Sequence, residues 1–226
     1  VTVRGYLDNA TTNSLPVELT TRIAPLGFAD RVIECTTTVQ AGPGKSEFIL
    51  KPADYPALKM EHPHLWWPVG YGKANLYKLT VTARVHGKPG GKASSLMGVR
   101  SVETSINQYG GREWRINGRT IRITGGAWVP DMLLSWSAQR YRDEIRLLAE
   151  GNHTLVRVNG CAITPPDCCF DAGDHEGVLV WEDFPRTSSA SVMPRSDLDL
   201  LLSNTKDSLE RMRGHASIII WCGSNE

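Results

Sequence analysis

The sequence has no long apolar run and no imbalance of charge. No stretch approaches the roughly 20 consecutive apolar residues that a membrane-spanning helix needs. The 226 residues carry a formal net charge of +1, with 41% hydrophobic and 22% charged residues. A near-neutral chain offers no electrostatic reason to bind nucleic acid or an anionic membrane, so we expect neither as a partner. The composition is that of a globular chain able to bury a core.

Motifs for metals, phosphates and activated serines are also missing. The five cysteines are odd in number and none has the Cys-x-x-Cys spacing, which argues against a disulfide framework and a zinc site. His62 and His64 have no acidic or cysteine neighbour at ligand spacing. The patterns GxGxxG, GxxxxGK and GxSxG are absent. We therefore expect no metal and no cofactor.

The first half of the chain has the pattern of β-strands. Segments rich in β-branched residues, several alternating apolar with polar, are separated by turns such as Ala41–Lys45 and Gly87–Lys92. The predicted strands are Val17–Ala24, Arg31–Gln40, Ser46–Lys51, Leu76–Val85 and Gly98–Ser105. Short strands at this spacing, with no helical stretch between them, predict an antiparallel sandwich of about 100 residues.

After Gly110 and Gly111, apolar strands alternate with amphipathic helices. The predicted strands are Thr120–Thr124, Thr154–Val158, Val178–Trp181 and Ser217–Trp221. The predicted helices are Ala138–Glu150, Asp167–His175 and Leu198–Arg213. The last helix is preceded by a capping-box pattern at Ser196 and Asp199. This alternation predicts a parallel sheet with right-handed crossovers. It fits either a small open α/β sheet or half of a (β/α)8 barrel, since a whole barrel needs about 250 residues.

Polar and aromatic residues follow each predicted parallel strand, where such folds carry their chemistry. Tryptophans could stack on sugar faces, Arg and Asn could bind hydroxyls or a carboxylate, and carboxylic acids could transfer protons. The candidate site residues are Trp128, Arg157, Asn159, Trp181, Glu182, Asp183, Asn225 and Glu226. Structural roles remain open for several of them: Trp181 could be a core residue, Glu182 could pair with a neighbouring loop, and Arg157 could belong to an internal ion pair.

These residues stand in segments that resemble one known family. HASIIIWCGSNE (His215–Glu226) resembles the fourth-strand signature of glycoside hydrolase family 2, in which an Asn-Glu pair ends the strand. Further segments in the same order are similar to that family: HPHLWWPVGYGKANLYKLTV (His62–Val81), MGVRSVE (Met97–Glu103), REWRINGRTIRITGGAWVPDM (Arg112–Met132) and CFDAGDHEGVLVWEDF (Cys169–Phe184). The resemblance implies an immunoglobulin-like β-sandwich over residues 1–106 and the first half of a catalytic TIM barrel over residues 107–226.

The resemblance also implies an activity, that of a retaining exo-β-glycosidase. Glu226 would be the general acid/base, Asn225 would bind the substituent at sugar C2, and Arg157 would lie behind the nucleophile and keep it ionised. In the family the nucleophile comes from a later strand. We therefore expect the chain to be an internal fragment, inactive alone, that lacks its N-terminal sugar-binding domain and the second half of its barrel.

The substrate branch follows from finer details of the resemblance. The segments GGAWVPDM and VLVWEDF resemble the β-mannosidase and exo-β-glucosaminidase branch, and Glu at position 226 favours the mannosidase. Asn159 departs from the Trp-Gly-Gly that mannosidase-like members commonly carry there. Alternatives are an exo-β-glucosaminidase, an endo-acting mannosidase, a non-catalytic carbohydrate-binding protein on a degenerate barrel, and an unrelated open-sheet α/β domain. The sequence leaves the sugar, the compartment and the oligomeric state open.

Overall fold

The computed structural model describes residues 1–129, 131, 133, 135, 137–160, 163–184 and 197–225. The chain divides into two compact units. The first contains Val1–His64 and Tyr77–Met97, and the second contains Leu65–Leu76 and Gly98–Glu226. The predicted domain boundary at residue 106 stays a prediction.

The first unit is built from antiparallel strands. They are β1 (Val3–Asn9), β2 (Leu15–Leu26), β3 (Ile33–Ala41), β4 (Gly44–Leu50), β5 (Leu76–Val85) and β6 (Lys88–Met97), with a single 3₁₀ turn at Pro56–Leu58. Strand β1 pairs with β4, and the second sheet has the order β3-β2-β5-β6. Alternate residues of β2, among them Val17, Leu19 and Ile23, are buried, as expected for strands with one face on a core.

The second unit holds two sheets. Strands β7 (Val102–Ile106), β8 (Arg112–Ile116) and β9 (Arg119–Ile121) form an antiparallel sheet. Strands β10 (Gly125–Trp128), β11 (Leu155–Val158), β12 (Leu179–Asp183) and β13 (Ile218–Cys222) form a parallel sheet in chain order. The helices α1 (Ala138–Glu150), α2 (Asp167–Glu176) and α3 (Leu198–Met212) lie between successive parallel strands along the chain. The alternation predicted from the sequence is confirmed in this region.

The first parallel strand differs from the prediction. Thr120–Thr124 was expected to form it, with the two following glycines beyond its end. Instead Arg119–Ile121 pairs antiparallel with β8, and Gly125–Trp128 is the strand. A Cβ at Gly125 would lie 1.7 Å from the carbonyl oxygen of Leu155 on β11, so the close approach of the two strands requires glycine there.

The helices end where the sequence predicts, within about one residue. Ser137 caps α1 by accepting a hydrogen bond from the Arg140 amide. Helix α2 ends at Gly177, whose φ of 74° is left-handed. Asp197 is the N-cap of α3, without a side-chain capping bond, and the Ser196 of the predicted capping box lies outside the described residues.

One face of the parallel sheet packs against the helices. Its buried residues form a single core, which consists of Tyr141, Ile145, Val156, Val158, Cys169, Phe170, Ala172, Val178, Val180, Met212 and Ile218. Since side chains alternate along a strand, Arg157, Trp181 and Asp183 lie on the other face. Among the described residues, no helix is both long and apolar enough to cross a membrane.

Candidate active site

Arg157 and Asp183 form a partly buried ion pair at the carboxyl end of the parallel sheet. Arg157 is on β11 and Asp183 is the last residue of β12. The Arg157 Nε and Nη2 atoms lie 3.0 and 2.6 Å from Asp183 Oδ2. Asp183 is 2% exposed, so water screens the pair poorly. A backbone amide adds a further donor, since Gly160 N–H donates to the same oxygen at 3.2 Å.

Asn225 joins this pair from the segment that follows β13. Its Oδ1 accepts a hydrogen bond from Arg157 Nη2 at 2.9 Å, and the residue is buried. We call Arg157, Asp183, Asn225 and the Gly160 amide the rim network. It brings together three of the predicted site residues from the ends of three neighbouring strands. The Gly160 amide was not predicted; the sequence marks it only as a glycine that follows the polar end of β11.

Trp181 lies beside the rim network on the same face of the sheet. It is the register partner of Arg157, and the guanidinium carbon of Arg157 is 4.8 Å from the centroid of its ring. This distance is within the range of a cation–π contact.

Trp128 is not brought to the rim network. It pairs in register with Val158, which faces the helices, and its indole Nε1 donates to Glu144 Oε2 on α1 at 2.9 Å. Its ring meets Tyr141 edge-on at 5.6 Å. The structure thus places Trp128 against α1, which is a packing role for a residue expected to stack on sugar.

Glu182 is adjacent to Asp183 in sequence but lies on the helix face of the sheet. It is fully buried, and neither carboxylate oxygen has a hydrogen-bond partner among the described residues. Burial is the largest cause and raises the pKa of this carboxyl to about 8; the positive charge of Arg211 opposes this rise, and the charge of Asp183 contributes to it. Glu182 therefore holds its proton at neutral pH.

The last two predicted residues are described to different extents. Asn159 follows β11, is half-buried, and donates its backbone amide to the Trp128 carbonyl at 3.1 Å. Glu226 lies outside the described residues. It follows Asn225 directly in the chain, so its role as acid/base stays a prediction.

A second polar cluster lies near the amino-terminal end of β13. Asp171, Asp174 and His215 are close enough together to be considered as metal ligands. Asp174 Oδ1 accepts the Ser217 amide at 2.7 Å, and its Oδ2 lies 2.8 Å from His215 Nδ1. These hydrogen bonds satisfy the buried carboxylate without an ion. The cluster ties α2 to β13, and the neighbouring Asp174 raises the pKa of His215 against the lowering effect of burial.

The chain is similar to known glycosyl hydrolases. Residues 1–100 match the family model described as glycosyl hydrolases family 2. The β-mannosidase B of Neosartorya fischeri is 35% identical over 172 residues, which are 74% of this chain and 20% of the relative. The exo-β-D-glucosaminidase of Amycolatopsis orientalis is 31% identical over 179 residues, which are 75% of this chain and 17% of the relative.

The chain belongs to glycosyl hydrolase family 2. The crystal structure of the β-D-mannosidase of Dictyoglomus thermophilum is similar to this chain. The match covers 99% of this chain, with a TM-score of 0.85 and 25% sequence identity. The match covers 27% of that protein. This family 2 chain therefore spans about a sixth to a quarter of the length of the relatives it matches.

Proposed function

We propose that the protein containing this chain is a retaining exo-β-glycosidase that removes terminal β-linked sugars, with β-mannosides as substrate. The observation that carries the proposal is the rim network, which joins Arg157, Asp183 and Asn225 at the carboxyl ends of adjacent parallel strands, directly before Glu226 in the chain. The similarity to the Neosartorya fischeri β-mannosidase B supports the choice of sugar.

The chemistry assigns one step to each residue. Glu226 would donate a proton to the leaving oxygen and then take a proton from water in the second step. Since the Arg157 N–H groups can only donate, the Asn225 oxygen must face Arg157, and the amide nitrogen then faces away from it. In that orientation Asn225 would donate to the hydroxyl at sugar C2. The positive charge of Arg157 would also keep the nucleophile carboxylate ionised.

We further propose the architecture that this function requires. Residues 1–106 would form an immunoglobulin-like β-sandwich, for which the antiparallel β1–β6 are the support. Residues 107–226 would form the first half of a (β/α)8 barrel, for which the support is the chain-order parallel sheet with its helices on one face. A glycoside would be the ligand at the carboxyl ends of the strands.

An exo-β-glucosaminidase is the second candidate. The Amycolatopsis orientalis relative with that name is 31% identical, only slightly less than the mannosidase. Asn159 at the end of β11 departs from the tryptophan common in mannosidase-like members, which leaves room for a different sugar. The discriminating group is the C2 substituent, a hydroxyl in mannose and an ammonium in glucosamine.

The test compares two substrates with the full-length protein. We expect kcat/KM for an aryl β-mannoside to exceed that for an aryl β-glucosaminide, and Glu226→Gln to lose about 10²- to 10⁴-fold, the usual contribution of general acid–base catalysis. Faster cleavage of the glucosaminide would select the second candidate. If neither the wild type nor the variant cleaved either substrate, a glycosidase function would be contradicted.

A further inference from the structure

The rim network holds the Arg157 guanidinium by hydrogen bonds from its Nε and Nη2 atoms to Asp183 and Asn225. These N–H donors lie in the plane of the guanidinium, so a contact with an aromatic ring adds a restraint of a different kind. The guanidinium carbon lies over the Trp181 ring, 4.8 Å from the ring centroid. Among aromatic side chains indole attracts a cation most strongly, because its face carries negative partial charge.

A second feature of Trp181 argues against a purely structural role. The indole Nε1–H is buried, and it has no hydrogen-bond partner in the part of the chain that the structure describes. A buried unpaired donor is unfavourable for folding. Phenylalanine would fill most of the same space without leaving a donor unpaired. The unpaired donor is therefore a cost to folding that Phe would not carry at this position.

We propose that Trp181 is a positioning residue, which holds Arg157 against Asp183 and Asn225 through the face of its ring. The proposal rests on the glycosidase function proposed above. Trp181 acts through Arg157 on the orientation of the Asn225 amide, and so on the contact with the sugar at C2. It does not itself touch the reacting atoms.

The first test separates activity from stability in the full-length protein. We expect Trp181→Phe to lower kcat/KM by a few-fold and Trp181→Leu by about 10- to 30-fold, the upper part of the range for a desolvated cation–π contact. The melting temperature of Trp181→Phe should stay equal to that of the wild type or rise. Loss of activity only in step with loss of melting temperature would overturn the proposal, and so would full activity in both variants.

Trp221→Phe is the matched control. Trp221 is on the neighbouring strand β13 and pairs in register with Glu182, so it lies on the opposite face of the sheet from Trp181. Its ring stacks on Phe184 at 5.9 Å. The same chemical change at this position should leave kcat/KM unchanged. An equal loss of activity in Trp221→Phe would show that the effect is not specific to the contact with Arg157.

A second test varies the charge on the ring face at nearly constant volume. Tryptophans with one, two and three fluorine atoms are placed at position 181 by site-specific incorporation. Each fluorine withdraws electron density from the ring face and weakens a cation–π contact. We expect the logarithm of kcat/KM to fall with each added fluorine. A flat series would overturn the proposal.

A crystal structure of the full-length Trp181→Leu variant decides the role of Trp181 independently of activity. We expect the Arg157 guanidinium to turn away from Asp183, with Nε no longer within hydrogen-bond distance. A retained distance near the 3.0 Å of the native pair would overturn the proposal. If the wild type cleaves no aryl glycoside, the proposed function fails, while this structure still tests the positioning of Arg157.

Discussion

At the scale of single residues, the parallel sheet separates two carboxylic acids that are adjacent in the chain. Asp183 faces the rim network and accepts hydrogen bonds from Arg157 and from the Gly160 amide. Glu182 faces the helices, and its carboxylate oxygens have no hydrogen-bond partner among the described residues. The two groups therefore lie in different environments: Asp183 is ion-paired with Arg157, whereas burial raises the pKa of Glu182 to about 8.

The neutral state of Glu182 makes stability depend on pH. The folded protein keeps this proton up to a pH of about 8, whereas the unfolded chain releases it near the ordinary value of 4.5. Between these values the native state binds more protons, so the free energy of unfolding falls as pH rises. Glu182→Gln removes the titration. Relative to the wild type, we expect the free energy of unfolding of the variant to rise by up to about 1.4 kcal/mol for each pH unit within this window.

Urea denaturation at pH 5, 7 and 9 measures this difference. Glu150→Gln, at an exposed position on α1, serves as the control and should change the free energy of unfolding by less than about 0.5 kcal/mol at each pH. A difference between wild type and Glu182→Gln that is the same at all three pH values would show that Glu182 is not neutral in the folded state.

The sequence predicts which residues are polar at the strand ends but not which face each one takes. Arg157, Asp183 and Asn225 were all expected at the site, and the structure brings them together. Trp128 was expected there too, and it contacts α1 instead. A shift of one residue in the pairing register of a strand turns every side chain to the other face. The start of β10 was misplaced, so the orientation of Trp128 could not be derived.

At the scale of elements, close backbone approach decides where strands and helices end. Helix α2 ends at Gly177, whose carbonyl accepts the Val69 amide at 2.9 Å. A Cβ at Gly177 would lie 2.9 Å from that amide nitrogen and 3.0 Å from the Trp67 carbonyl oxygen. Glycine is required here both for its left-handed φ and for the space.

Gly177→Ala should therefore destabilise the second unit. A left-handed conformation disfavours a side chain by roughly 1–2 kcal/mol, and the short contacts add to this. We expect the free energy of unfolding to fall by about 2 kcal/mol or more, measured by urea denaturation. Gly214→Ala is the control, because a Cβ there meets no atom within 4 Å and the φ is not left-handed. It should be neutral or stabilise by up to about 1 kcal/mol. Equal effects in both variants would contradict this account of the helix end.

Helices were easier to predict than strands for a physical reason. The helix α1 has the predicted bounds, because its apolar spacing, Ser137 cap and terminal Gly151 all agree. Strand β6 was missed, since Lys88–Met97 has no β-branched residue and has Pro and Gly near its start. Its pairing with β5 makes it a strand. Such pairing is tertiary context, which local sequence does not report.

At the scale of the whole molecule, the family match and the described site residues are distributed differently over the two units. Most of the match to the family model over residues 1–100 lies in the first unit, whereas the second holds all of the described site residues. The similarity to the family 2 relatives extends over about three quarters of the chain and so includes the second unit. The proposed glycosidase activity is most directly tested through Glu226, the residue that follows the rim network.

The decisive measurement is the dependence of the Glu226→Gln variant on the leaving group. Full-length wild type and variant are compared on aryl β-mannosides whose phenols span a wide range of pKa. A general acid matters most for a poorly leaving phenol, which needs the proton, and least for an acidic one. We expect a loss of at least about 10³-fold on the poorest leaving group and a far smaller loss on the best. An equal loss across the series, or no loss, would contradict Glu226 as the acid that completes this site.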